Sequence, residues 1–271
     1  MFHGLDNRHL YTAYRLTCTL ADNAGQTLNS AGTGFFVRTN DDHVVLVTNR
    51  HVVDPGFAEP KYAAFKLRTI HISGKANDPS SSLPSVDQGF VLTGWTVEYS
   101  NIPENDIVCL VNISGANSDG SPDMTIDYWV PQDLLATRSD FESKFSVCDF
   151  VAFPGFPKWY DKRRNRPILR TGTISSDPRY DYSWSSEYVG ECVAYEAFSY
   201  GGSSGSPVFA VQKGPRPGEG ISFPGFRELK LIGVNAGHIP GDNDTHSGIS
   251  YMYRSSAVLD IIEPSKRAQT G

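Results

Sequence analysis

Apolar residues in this chain come in short β-rich runs punctuated by glycine and proline, with 25 of the former and 17 of the latter. That spacing predicts strands bounded by turns rather than helices. The first set of strands is expected over residues 11–20, 34–38, 44–48, 62–73, 90–99 and 107–113. The second is expected over 146–153, 169–175, 188–197, 207–212, 229–234 and 250–253. Between the sets, residues 114–144 are rich in Gly, Ser, Asp and Asn and hold no long apolar run, which predicts an interdomain linker. Residues 77–88 and 213–228 read as exposed loops. Helical periodicity is confined to 255–262, where Val258, Leu259, Ile261 and Ile262 share one side, Ser255 or Ser256 is the expected N-cap, and Pro264 lies beyond the end. Two sets of six strands followed by one helix predict an all-β chain of two six-stranded antiparallel β-barrels with a C-terminal α-helix, not βαβ units. The expected divisions are a first barrel over 10–115, a linker over 116–144, a second barrel over 145–254 and the helix over 255–263.

Composition narrows the class. Over 271 residues the chain is 39% apolar and 20% charged, enough to fill a sizeable core and too apolar for disorder. A net charge of −6 gives no general pull toward nucleic acid or an anionic membrane. No apolar run approaches the ~18 residues of a membrane span. The opening Met1-Phe2-His3-Gly4-Leu5-Asp6-Asn7-Arg8 has neither a basic start nor an apolar stretch, so no signal peptide is expected. Cys18, Cys109, Cys148 and Cys192 stand singly within or beside apolar runs, and are expected to be buried, reduced thiols of a cytoplasmic protein.

Three stretches carry chemistry. Gly201-Gly202-Ser203-Ser204-Gly205-Ser206-Pro207 describes a tight loop before a strand, in which glycines let backbone N–H groups converge beside a serine hydroxyl. Gly32-Thr33-Gly34-Phe35-Phe36-Val37 leads through a turn at 39–42 into Val44–Thr48 and then Asn49-Arg50-His51-Val52-Val53, a hairpin whose second strand ends at a histidine. Asn105-Asp106-Ile107-Val108-Cys109-Leu110 opens an apolar strand with an aspartate. Each alone has an ordinary structural explanation. Together they are far more specific: in the order His51, Asp106, Ser204, two members fall in the first set of strands and the third in the second.

With these motifs, over roughly residues 10–263, the chain resembles the trypsin-like serine peptidases of the chymotrypsin fold, most of all HtrA (Deg) peptidase domains and glutamyl endopeptidases. Thr48-Asn49-Arg50-His51-Val52-Val53, Asp106-Ile107-Val108 and Gly202-Ser203-Ser204-Gly205-Ser206-Pro207 carry it, with support from Leu231-Ile232-Gly233-Val234-Asn235 and Gly248-Ile249-Ser250-Tyr251. The resemblance implies Ser204 as nucleophile, His51 as general base and acid, Asp106 as its partner, and the N–H groups of Gly202 and Ser204 as the oxyanion hole, with no metal or organic cofactor. It implies protein substrates; a stand-alone cytosolic peptidase would need its activity restrained, by a regulatory protein complex or by an activation loop, and no membrane partner is expected. Ser203 stands where zymogen-derived relatives carry an aspartate, so activation through a new N-terminus is not expected. Counting back from Ser204 puts Phe198 at the floor of the specificity pocket and Ser199, Asn235 and Ser250 on its walls. The resulting expectation is cleavage after small or medium uncharged residues. Glutamyl endopeptidases carry a histidine where this chain has Asn235, and His238, three residues on, is the group that would restore an acidic preference.

Two alternatives remain. Ser203 is also the centre of a G-x-S-x-G, which with Asp242 or Asp244 and His246 would suit an α/β-hydrolase esterase. The basic stretch from Lys158 to Arg166, within a loop reaching residue 170, is the sole hint of nucleic acid and would suit a non-catalytic scaffold that binds a protein or nucleic-acid partner. His3, His9, His43 and His71 lack metal-binding spacing and read as surface or packing residues. Phe2, Tyr11 and Tyr14 are candidates for subunit contacts only if they do not pack within the barrel.

Overall fold

A computed structural model describes residues 5–118, 124–215, 225–241 and 245–263. Six strands form the first barrel: β1 (Ala13–Ala21), β2 (Thr27–Arg38), β3 (Val44–Thr48), β4 (Lys66–Ala76), β5 (Val86–Tyr99) and β6 (Val108–Asn117). They are ordered β1-β4-β5-β6-β3-β2, and pairing of β1 with β2 closes the ring. A two-residue strand, β7 (Val130–Pro131), adds in parallel to β2. The second barrel contains β8 (Phe150–Gly155), β9 (Ile168–Ile174), β10 (Cys192–Glu196), β11 (Pro207–Ala210), β12 (Lys230–Pro240) and β13 (His246–Arg254), closed in the order β10-β13-β12-β11-β8-β9. Among the described residues there are also three short α-helices, α1 (Arg50–Val53), α2 (Arg138–Ser143) and α3 (Ser255–Ile262), besides short 3-10 turns. The chymotrypsin-like pair of six-stranded barrels expected from sequence is the architecture observed.

Alternation fixes which side of each strand faces in. Along β1, Tyr14, Leu16, Cys18 and Leu20 are buried while Arg15, Thr17 and Thr19 are not, and these four meet Phe36, Leu46, Ile70, Phe90 and Leu110 in the first core. Phe153, Tyr195, Val208, Ile232 and Met252 fill the second. A third cluster joins the barrels: Phe35, Val45, Val47, Ile107 and Cys109 from the first pack with Phe209, Leu231 and Val234 from the second, and α3 supplies Val258, Leu259 and Ile262. The helix is therefore buried on nearly all sides rather than on one. Its N-cap is Arg254, not Ser255 or Ser256, because Ser255 Oγ donates instead to the carbonyl of Ala136 (2.8 Å). Pro264 lies outside the described residues.

The segment between the barrels is not an open tether. β6 runs into it as far as Asn117, and β7 and α2 lie within it. Val130, Leu135, Ala136 and Phe141 are buried, and Thr137 and Asp140 form a reciprocal capping box on α2. Loop 77–88 is shorter than expected because β5 begins at Val86, where Lys75 and Asp87 face each other in register and pair at 2.7 Å. In the loop expected at 213–228, Lys213 bridges Arg227, and 216–224 lie outside the described residues. Cys18, Cys109 and Cys192 are buried free thiols, but Cys148 is exposed: it occupies a turn at φ +65°, where Asp149 accepts from Ser146 N–H. Tyr14 is a core residue whose hydroxyl donates to Tyr128 O, so it is not free for a subunit contact, whereas Tyr11 is half-buried with its ring against Tyr128; Phe2 lies outside the described residues. His9 is a packing residue against Phe209, His43 and His71 are exposed, and His3 lies outside the described residues.

Candidate active site

β3 stops at Thr48, three residues short of His51, and the chain enters the single turn of α1 at Asn49. Val52 and Val53 are buried and anchor that turn, leaving the His51 side chain 28% exposed. Asp106, just before β6, reaches His51 twice: Oδ1 accepts from the backbone N–H at 2.8 Å, and Oδ2 meets Nδ1 at 2.5 Å. With Nδ1–H donated to the carboxylate, Nε2 keeps the lone pair and faces away from Asp106. Burial disfavours the imidazolium, but the charge of Asp106 and its hydrogen bond outweigh that and raise the His51 pKa above its ordinary value. Asp106 is itself held on both sides. Asn49 Nδ2 donates to its carbonyl at 2.7 Å. Asn105 exchanges bonds with Glu191 of the second barrel, accepting from its N–H (2.8 Å) and donating to its carboxylate (3.1 Å).

The loop that carries Ser204 runs from Gly201 into β11. Ser203 N–H donates to Tyr200 O, Gly205 N–H to Asn235 O, and Ser206 N–H to Ser203 O, so the loop folds on itself and onto β12. Gly205 sits at φ +87°, and a Cβ there would lie 1.9 Å from the Thr33 carbonyl, so no side chain fits. Gly202, at φ +93°, similarly abuts the Phe156 carbonyl. The N–H groups of Gly202 and Ser204 have no partner among the described residues.

Thr33 of β2 holds this loop from the opposite barrel, a role that sequence reasoning did not assign. Its N–H donates to Ser204 O (2.8 Å), its hydroxyl donates to Gly202 O (2.7 Å), and the same hydroxyl accepts from Phe156 N–H (3.0 Å). The neighbouring Gly32 measures the gap between the halves: a Cβ there would lie 2.8 Å from Val52 Cγ2 and 3.1 Å from Ser204 O. The structure thus bonds His51 to Asp106 and sets Ser204 across one glycine from the turn that carries His51. Ser204 Oγ donates to the Ala236 carbonyl at 3.3 Å, not to the imidazole. Ser203 Oγ, by contrast, is buried without a partner. A strand follows it, no parallel sheet exists among the described residues beyond the β2–β7 pair, and Asp242 and Asp244 lie outside them; the α/β-hydrolase alternative fails on its fold.

Beside the loop, Ser199, Asn235 and Ser250 are buried and bonded together. Asn235 Nδ2 donates to Ser199 Oγ and Ser203 O, Tyr195 OH donates to Asn235 Oδ1, and Ser250 Oγ donates to Ala197 O. Phe198 is not a buried floor: its side chain is 53% exposed, stacked near Tyr200 and 4.9 Å from His246, while its carbonyl accepts from Arg170. Beside these residues stands His246, whose Nε2 accepts from Ser199 N–H at 3.0 Å and whose ring stacks on His238 at 4.2 Å. Burial, then the neighbouring charges of His238 and Arg170, lower the His246 pKa. His246 entered the sequence reading only as a partner for Ser203. No sequence spacing marks it, because β13 brings it into place through pairing with β12.

Residues 32–215 match a family model described as trypsin-like peptidase domain. Among solved structures, the chain is similar to Deg5 (15% identity, TM-score 0.51, covering 93% of this chain and 88% of that one). It is similar to the thermostable serine protease AL20 from an extremophilic microorganism (12%, TM-score 0.53, covering 97% and 99%). It is also similar to the protease Anisep from Arthrobacter nicotinovorans (12%, TM-score 0.53, covering 95% and 96%). A search of curated proteins finds no match.

Proposed function

Because the chain belongs to the family of trypsin-like peptidase domains and is a trypsin-like serine protease, we propose that it cleaves peptide bonds through an acyl-enzyme on Ser204. The observation that carries this is the doubly bonded pair of His51 and Asp106 set against a loop whose Gly202 and Ser204 N–H groups are unspent. Rotation of Ser204 about Cα–Cβ exchanges its Ala236 acceptor for His51 Nε2. The imidazole takes the hydroxyl proton as Oγ attacks the carbonyl, and Asp106 stabilises the imidazolium. The tetrahedral oxyanion then takes the two free N–H groups, each such donor contributing roughly 3–4 kcal/mol. His51 returns the proton to the leaving amine, and water repeats the sequence on the ester. Ser204→Ala should keep the thermal midpoint and lower turnover by roughly 10⁶-fold, whereas Ser203→Ala should remain active and label with a fluorophosphonate. Equal turnover by Ser204→Ala and wild type rejects the mechanism, and a folded wild type that does not label favours a binding scaffold.

The side chain preceding the scissile bond enters the recess of Ser199, Asn235 and Ser250. Those polar groups are satisfied by one another and the lowered pKa keeps His246 neutral near pH 7, which supports cleavage after small or medium uncharged residues. The stacked His238 and His246 favour a second reading, in which protonation at lower pH admits an acidic side chain. Its test is the ratio of rates for matched Glu and Ala peptides at pH 5.5 and 8, in which the pH dependence of catalysis itself cancels. Four free thiols support a reducing compartment, as in the cytoplasm.

A further inference from the structure

Against the nucleophile loop, at Tyr200, Gly201 and Gly202, lies an open groove of about 640 Å³ that the mechanism above does not use. We propose that it is the subsite for the leaving-group half of the substrate, taking a large aromatic or aliphatic side chain within two residues after the scissile bond, in a segment rich in Asp and Glu. This rests on Ser204 being the nucleophile.

Position sets the direction of the peptide. Gly201 and Gly202 line the groove, and Gly202 also offers the N–H assigned to the oxyanion. A peptide with its carbonyl over Gly202 and Ser204, and its preceding side chain in the Ser199 recess, runs its following residues across Gly201 and Gly202 into the groove. The walls then state what they accept. Trp159 is 60% exposed and stands edge-on to Tyr200 at 4.9 Å, and Tyr160 leans on Phe156 at 5.2 Å. Arg15 lies over the Tyr160 ring at 5.5 Å and Arg170 over that of Tyr200 at 4.6 Å, so Trp159 is the ring that presents an open apolar face to an incoming side chain. Arg15, Lys158 and Lys162 also line the groove, and no carboxylate does. The nearby Asp161 is turned into its own loop, accepting from Arg164 N–H. In a chain of net charge −6, this is a local positive rim matched to an acidic segment.

The groove is also held in shape. Lys158 N–H donates to Gly201 O at 3.1 Å and Phe156 N–H to Thr33 Oγ1 at 3.0 Å, so the loop from β8 is fixed to the nucleophile loop and to the first barrel. A preformed site spends less of its binding energy on ordering.

The test separates the groove from the nucleophile. Leaving-half peptides that begin Phe-Glu-Glu or Ala-Lys-Lys are titrated into the full chain carrying Ser204→Ala, with binding read by fluorescence anisotropy. The acidic aromatic peptide should bind at least tenfold tighter (about 1.4 kcal/mol), and that advantage should shrink severalfold in Trp159→Ala, through the lost ring, and in Lys162→Glu, through the lost charge. Both side chains are exposed, so neither change removes core packing. Equal binding of the two peptides, an advantage untouched by Trp159→Ala, or tighter binding of a single-stranded oligonucleotide overturns the proposal. Turnover of an acyl aminocoumarin amide, which has no residues after the scissile bond, tests the Ser204 mechanism alone, so failure of one is not mistaken for failure of the other.

Discussion

The hydroxyl of Thr33 donates to the carbonyl of Gly202 across the interface between the two barrels, and the same oxygen accepts from Phe156 N–H. One buried residue thereby orients the Gly202 carbonyl through its side chain and the Ser204 carbonyl through its backbone N–H. Thr33→Val keeps the shape and removes both hydroxyl bonds, leaving a buried N–H and C=O unpaired at a cost of about 1–3 kcal/mol. Its kcat should fall at least tenfold with little change in KM, and Thr33→Ser should restore most of both. Steady-state kinetics beside thermal unfolding measures the two effects; a Val variant with wild-type kcat removes the positioning role.

The Asp106 carboxylate raises the His51 pKa against the opposing effect of burial, so the acid limb of kcat/KM should have its midpoint above the ordinary 6.5. Activity rises with pH through that value because the base must be neutral. Asp106→Asn removes what raises the pKa, so the limb should move to lower pH while kcat falls by about 10⁴-fold. The sign is opposite for folding. A raised folded-state pKa adds stability that is full below the unfolded value and vanishes as pH climbs through the folded one. An Asn variant whose acid limb stays in place contradicts the pairing.

Asn105 and Glu191 form the second tie between the barrels, and Glu191 Oε1 also accepts from Arg138, which reaches Asp260 on α3 at 2.6 Å. Asn105→Ala strands the Glu191 N–H in a buried site and should lower stability by about 1–3 kcal/mol. Because Asn105 directly precedes Asp106, kcat should fall alongside it. Urea unfolding and kinetics on the same sample check both, and an unchanged midpoint would show the tie to be dispensable.

Thiol accessibility offers an inexpensive check on the fold. Burial pushes the pKa of Cys18 and Cys192 up to about 12, and Cys109 is enclosed in the cluster between the barrels, whereas Cys148 is exposed. Iodoacetamide on the native protein should therefore give one adduct, on Cys148, and four after denaturation. Rapid native modification of Cys109 would mean that the barrels separate.

Sequence reading succeeded where a residue's environment is set by its own neighbours along the chain. The continuous run at Val44–Thr48 and the period-two run of β1 mark strands by themselves, and His51, Asp106 and Ser204 sit in motifs that are local. It fell short where partners decide. Thr27–Gly32 is too polar to declare itself, yet it is strand because β1 pairs along its whole length, Ala21 with Thr27 through Leu16 with Gly32. Residues 114–144 read as linker although the Thr137-x-x-Asp140 capping box was present, since its one-turn amphipathic pattern is too brief to register. Cys148 lies beside an apolar run but is turned outward by a left-handed residue that no pattern of hydrophobicity reports. Phe198 was assigned by counting from the serine, and counting cannot say that Tyr200 and His246 draw its ring to the surface.

Gly205 leaves no room for a methyl group against the Thr33 carbonyl, and Thr48 Oγ1 donates to that same carbonyl at 2.7 Å. The serine therefore acquires its working pose only where the two halves dock. A split protein, cut within 114–144, should be silent as separate fragments and regain hydrolysis with second-order kinetics on mixing, which makes the chain a natural reporter for proximity between whatever is fused to its halves.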